Sequence, residues 1–260
     1  MNEICILSAP RSGTSHMCLL WRSFRDHASF GEILHQKMAY GCDQYLADLN
    51  AAFGISAAGI ADSALTKAMR NDPVLSIETL KAACGRAGQG GISYKIFPQH
   101  LEQSRLQAVL NRDGLVVVFV KRLLIDSYIS SRKAQALNTW SKTDTTGHQV
   151  SLNFAEFEKW ADSRRWWFRK AENFLTEAGR PFRTLYYEAD ISCDPAQHLA
   201  VARDVLGDMG LDIPLSETAP ESDHKKQDTS QNYHSKVSNW SAFCHEARSR
   251  GKVERLWSYA

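Results

Sequence analysis

Residues 6 to 21, ILSAPRSGTSHMCLLW, decide how the rest of the chain is read. An apolar run opens the stretch, Pro10 to Thr14 turn the chain, and Ser15 onward carries the apolar spacing of an amphipathic helix. This is a strand, a loop and a helix, with the polar atoms gathered at the turn. A helix start offers backbone N–H groups without carbonyl partners and the positive end of a dipole, and Arg11, Ser12, Thr14 and Ser15 add side-chain donors. The loop is therefore built for an anion.

Working outward, three further segments read as strands: GISYKIF (91–97), LVVVFV (115–120) and FRTLYY (182–187). The middle one is apolar throughout, as expected of a strand covered on both faces in a parallel sheet. Helical patterns lie between them in PQHLEQSRLQAVL, LLIDSYISSRKAQAL and DPAQHLAVARDVLGDMG; the last has Asp194 as N-cap, Pro195 at the first helical position and Gly210 near the stop. The alternation predicts an α/β fold: a P-loop-like, doubly wound parallel sheet flanked by helices, forming a single domain over residues 1–260. Residues 40–90 read as several short helices inserted after the first βα unit. Residues 154–179 read as one long aromatic-rich helix, and the spacing of Phe154, Phe157, Trp160, Trp167 and Phe174 favours a core-facing stripe over an acceptor lining.

Composition narrows the function. A formal net charge of +2 over 260 residues is too small to imply a nucleic-acid surface, so any anion preference is local. No apolar run approaches the roughly 20 residues needed to span a bilayer, and the first strand starts almost at Met1, which reads as a cytoplasmic chain without a signal peptide. The six cysteines form no CxxC pair and the nine histidines no HExxH, so neither disulfides nor a metal site is expected. Oligomeric state is not legible.

The loop departs from that of a magnesium-dependent kinase in two places. Laid over GxxxxGK[ST], the stretch SAPRSGTS places Ser8 where the first glycine belongs and Thr14 where the lysine would reach the β- and γ-phosphates. The third strand runs into Lys121 and Arg122 instead of an acidic residue. A kinase with a degenerate loop, or a nucleotide-binding domain without turnover, remains as an alternative.

APRSGTS after a first strand resembles the 5′-phosphosulfate loop of the sulfotransferases, which draw a sulfuryl group from 3′-phosphoadenosine 5′-phosphosulfate. VVVFVKRLLIDSYISS resembles their 3′-phosphate motif, with Arg122 just after the strand and Ser130 two helical turns along. Shorter strings follow in the family's order. FGEILHQ (30–36) resembles the GE segment of the trehalose and nodulation-factor type of bacterial carbohydrate sulfotransferase, YYEADI (186–191) the strand-end segment near the nucleotide, and HKKQDTSQNYHSKVSNW (224–240) a C-terminal basic-Gln segment. Where steroid- and phenol-modifying members have a KTH histidine, YKIFPQH places Phe97.

The resemblance implies a metal-free reaction with that donor and a hydroxyl of a carbohydrate, glycolipid or glycosylated metabolite. It implies that Arg11, Ser12, Gly13, Thr14 and Ser15 hold the 5′-phosphosulfate, that Arg122 and Ser130 hold the 3′-phosphate, that Tyr187 lies near the nucleotide, and that Lys225 and Gln227 close over it within a loop spanning 211–240. Glu32 is the implied base. His35, three residues on and expected on the same helical turn, competes for that role, and Lys95 either approaches the bridging oxygen or faces solvent.

Overall fold

A computed structural model describes residues 1–140, 143–216, 227–230 and 232–260. Five parallel strands form one sheet in the order β2-β3-β1-β4-β5: β1 (Asn2–Ser8), β2 (His27–Ser29), β3 (Gly91–Ile96), β4 (Leu115–Lys121) and β5 (Phe182–Tyr186). The helices are α1 (Thr14–Leu20), α2 (Leu46–Phe53), α3 (Ser63–Asn71), α4 (Pro73–Arg86), α5 (Gln103–Leu110), α6 (Leu124–Ala136), α7 (Phe154–Glu177), α8 (Pro195–Gly207), α9 (Tyr233–Lys236) and α10 (Trp240–Ser249).

The central strands are covered on both faces, and their alternation shows it. Cys5, Leu7, Val117 and Phe119 enter one core with α2, α4, α5 and the C-terminal half of α7, whereas Ile4, Ile6, Val116, Val118 and Val120 enter a second with α1 and α8. Each such side chain gains about 1.5–3 kcal/mol over exposure, which is why β4 tolerates no polar residue before Lys121. A third core joins α6, the N-terminal half of α7 and α10 through Phe154, Phe157, Tyr128 and Phe243. The aromatic stripe of α7 is thus mainly core: Phe154 and Phe157 are buried in the third core and Trp167 in the first, against which Phe174 packs from the edge.

Two expectations need correction. The stretch between the first helix and the helical insertion contains β2, an edge strand of three residues paired only with β3; HAS carries no apolar run by which to find it. The 40–90 segment holds α2, α3 and α4, but α4 is also the crossover that returns the chain from β2 to β3.

From β1 the chain winds towards β3 and β2, and from β4 it winds the other way to β5. The carboxyl ends of β1 and β4, neighbours in register from Glu3 with Leu115 to Ser8 with Val120, therefore flank the point where the winding reverses, the crevice in which open α/β sheets gather ligands.

Candidate functional site

The loop after β1 is fixed from below. Ser8 Oγ donates to the carbonyl of Val120 at 3.0 Å and ties the ends of β1 and β4 together. Arg11 has φ 72° and Gly13 φ 77°, both left-handed. At Gly13 the glycine is required twice over, because a Cβ there would lie 2.4 Å from the ring of Tyr187. Arg11 takes the strained conformation with help: Arg122 Nη1 donates to its carbonyl at 2.7 Å. Tyr187, the first residue of a π-turn (Tyr187–Ile191) after β5, backs Gly13 and lies 4.2 Å from the Arg122 guanidinium. Its place is beneath the loop, as a prop.

Arg11 is the hub of the upper side. Its Nε donates to Ser130 Oγ at 2.9 Å, its Nη1 to the carbonyl of Trp140 at 2.5 Å, and its Nη2 to Gln227 Oε1. Arg122 and Ser130, expected to share one phosphate, thus converge on Arg11, one on its backbone and the other on its side chain. Among the described residues neither arginine has a carboxylate within ion-pair distance, and Arg122 Nε is buried without a hydrogen bond. Burial, and then the like charge of Arg122, pull the Arg11 pKa below its ordinary value. Two part-buried cations that lack a counter-charge are complementary to a polyanion.

A second cluster adjoins the loop on the β3 side. Lys95 is buried at 3% exposure, and its ammonium donates to Ser15 Oγ at 2.9 Å and lies 3.5 Å from Glu32 Oε1. It does not face solvent. His100 is fully buried; the N–H of Phe97 donates to its Nδ1 at 3.2 Å, which leaves the proton on Nε2, 3.2 Å from Glu32 Oε2. Burial alone would raise the Glu32 carboxyl, but the His100 hydrogen bond and the Lys95 charge outweigh it and hold the pKa below the usual value. Burial pulls His100 down in turn, against the pull of Glu32, and keeps it neutral. Glu32 retains 21% side-chain exposure, so one edge of an ionised carboxylate faces outward.

Glu32 and His35 are not on a helix. They span a single turn, closed by the N–H of His35 donating to the Glu32 carbonyl at 3.1 Å. The His35 ring sits edge-on to His100 at 5.8 Å and to Tyr40 at 5.3 Å. It has no described hydrogen bond to the loop, whereas Glu32 reaches the loop through Lys95 and Ser15. Ser12 and Thr14 are buried under the loop, and Ser15 is exposed at its mouth. Lys225 lies outside the described residues. Sequence reading missed His100, although it stands in the quoted YKIFPQH three residues after Phe97, and it missed Trp140, whose contribution is a carbonyl that no motif can reveal. Among the described residues no group of three or more His, Cys, Asp or Glu side chains is placed to hold a metal ion, and no helix is long and apolar enough to cross a membrane.

Fold and site together define an α/β protein with a doubly wound parallel sheet and a cationic loop at its switch point. No family model and no curated protein matches the chain. Among solved structures the chain is similar to the sulfotransferase domain from the curacin biosynthetic pathway, with 17% sequence identity over 90% of this chain and 81% of that one and a TM-score of 0.48.

Proposed function

We propose that this chain is a sulfotransferase that moves a sulfuryl group from 3′-phosphoadenosine 5′-phosphosulfate to an acceptor hydroxyl. The observation that carries the reading is the pairing of two arginines that have no carboxylate partner among the described residues with an ionised carboxylate joined to the same loop through Lys95. A donor with phosphates at both the 3′ and the 5′ positions supplies the missing negative charge twice over. Arg11 and the backbone amides of Ser12 to Ser15 meet the 5′-phosphosulfate; Arg122 and Ser130, with Gln227 closing from above, meet the 3′-phosphate.

The chemistry is an in-line displacement. The acceptor oxygen attacks sulfur, the bond from sulfur to the bridging oxygen breaks with its electron pair going to the 5′-phosphate, and the acceptor proton leaves to Glu32. Charge grows on the leaving phosphate as the bond breaks, so a fixed cation at Arg11 stabilises the transition state more than the ground state. Lys95, held between Ser15 and Glu32, turns to the bridging oxygen once Glu32 takes up a proton and releases part of its charge. Glu32 is favoured over His35 because it is ionised, partly exposed and joined to the loop. The acceptor is a hydroxyl of a carbohydrate, glycolipid or glycosylated metabolite, a reading supported by the GE segment and by Phe97 in place of the other branch's histidine.

The test is transfer of labelled sulfur from the donor to pooled oligosaccharides and glycolipids in the presence of a chelator. We expect labelled acceptor from the native chain and a fall of about 10²–10⁴-fold in single-turnover rate for Glu32→Gln at saturating donor. Near-native turnover in Glu32→Gln beside a dead His35→Asn would transfer the base role to the histidine.

A further inference from the structure

Lys133 stands on α6 three residues beyond Ser130, on the side of the helix that meets the core, and is only 1% exposed. An ammonium stripped of water costs several kcal/mol unless it is paired and hydrogen-bonded, and an apolar residue would fill the same space without that cost. Its two partners come from outside the helix. The ammonium donates to the carbonyl of Thr145 at 3.1 Å and to Asp228 Oδ2 at 2.7 Å.

Asp228 belongs to a strap, residues 227–230, that lies across the loop after α6. The Gln227 carbonyl accepts from the Thr145 N–H at 2.6 Å and from Thr145 Oγ1 at 3.0 Å, and the Thr229 N–H donates to Thr146 Oγ1 at 3.1 Å. Every one of these bonds ties one loop to another. Among the described residues the Lys133–Asp228 ion pair is the tie that fastens the strap to a helix of the fold, and the residue next to Asp228 is Gln227, whose side chain reaches Arg11.

We propose that Lys133 and Asp228 are positioning residues: their pair sets the strap so that Gln227 closes on Arg11 over the bound donor, although neither touches the ligand. The ligand's identity rests on the functional reading above. The geometry of the pair does not.

Two measurements test the assignment. In the first, calorimetry follows 3′,5′-diphosphoadenosine binding to the native chain and to Asp228→Asn, Lys133→Met, Gln227→Ala and the Lys133→Met/Gln227→Ala double variant. We expect each single change to weaken affinity by about tenfold or more and the double variant to be no weaker than Gln227→Ala alone, because both act through one contact. Unchanged affinity in Asp228→Asn, or losses for Lys133 and Gln227 that add in full, would overturn the role. If Lys133→Met does not fold, Asp228→Asn in the Gln227→Ala background completes the same cycle. In the second, amide exchange without ligand is read at Thr145 and Thr229, and Asp228→Asn should accelerate both. If the native chain does not bind the diphosphate, the functional reading fails, and the exchange rates alone then decide: unaltered protection at both threonines overturns the positioning role, and accelerated exchange upholds it.

Discussion

Replacing Gly13 by alanine strikes the loop at its tightest point. The backbone there has φ 77°, and holding a residue with a Cβ in that region costs about 1–2 kcal/mol. The new methyl would also meet the Tyr187 ring at 2.4 Å. That ring cannot swing aside freely, since the Arg122 guanidinium covers it at 4.2 Å and Tyr187 packs at the edge of the second core; relieving such an overlap costs about 1–3 kcal/mol. The expected destabilisation is therefore about 2–5 kcal/mol, a large share of the roughly 5–15 kcal/mol that holds a domain folded. Urea denaturation at matched slope reads the loss. In a Tyr187→Ala background the clash disappears and only the backbone term of about 1–2 kcal/mol should remain. An equal cost in both backgrounds, or a cost below about 0.5 kcal/mol in the native one, would refute the claim that Tyr187 props the loop.

Arg11→Ala should lower single-turnover rate by a larger factor than it lowers donor affinity, because leaving-group charge appears only in the transition state; a loss confined to the Michaelis constant would reduce Arg11 to a binding residue. His27, buried with no hydrogen-bond partner for either ring nitrogen among the described residues, has its pKa pulled down by burial to about 4. The unfolded chain takes up that proton near pH 6.5 and the folded one does not, so stability is intact above pH 6.5 and falls as the pH drops towards 4, by about 3 kcal/mol in all. Burial depresses His100 and His198 in the same direction. His27→Leu should flatten the stability curve across this window, and an unchanged slope would show that the histidine finds a partner for its proton.

The parts of the fold that could be read in advance are those where one physical signal dominates. Strand β4 is apolar from Leu115 to Val120 because both faces are covered, and α8 announces its start with Asp194, whose side chain accepts from the Ala196 N–H, and Pro195. Strand β2 was hidden because three residues paired along one edge need no hydrophobic pattern. The turn between β1 and α1 was legible since Pro10 and Gly13 interrupt an apolar run just before a helical spacing. What joins the site across long distances was not: His100 under Glu32, Trp140 behind Arg11 through its backbone, and Lys133 beneath the strap each act through tertiary contacts that leave no local period. The turn that carries Glu32 and His35 was misread as helical because spacing by three serves both a helix and a turn closed from residue i to i+3.

The most direct measurement is calorimetric titration of the native chain and of Arg122→Ala with 3′,5′-diphosphoadenosine and with ADP, all in excess chelator. If the two arginines form paired phosphate sites, the 3′,5′-diphosphate binds without metal and much more tightly than ADP, and Arg122→Ala weakens it by about 2–4 kcal/mol while weakening ADP, which feels only the loss of support to the Arg11 carbonyl, by a clearly smaller amount. Equal affinity for the two nucleotides, or a need for magnesium, would contradict the assignment of this chain as a sulfotransferase.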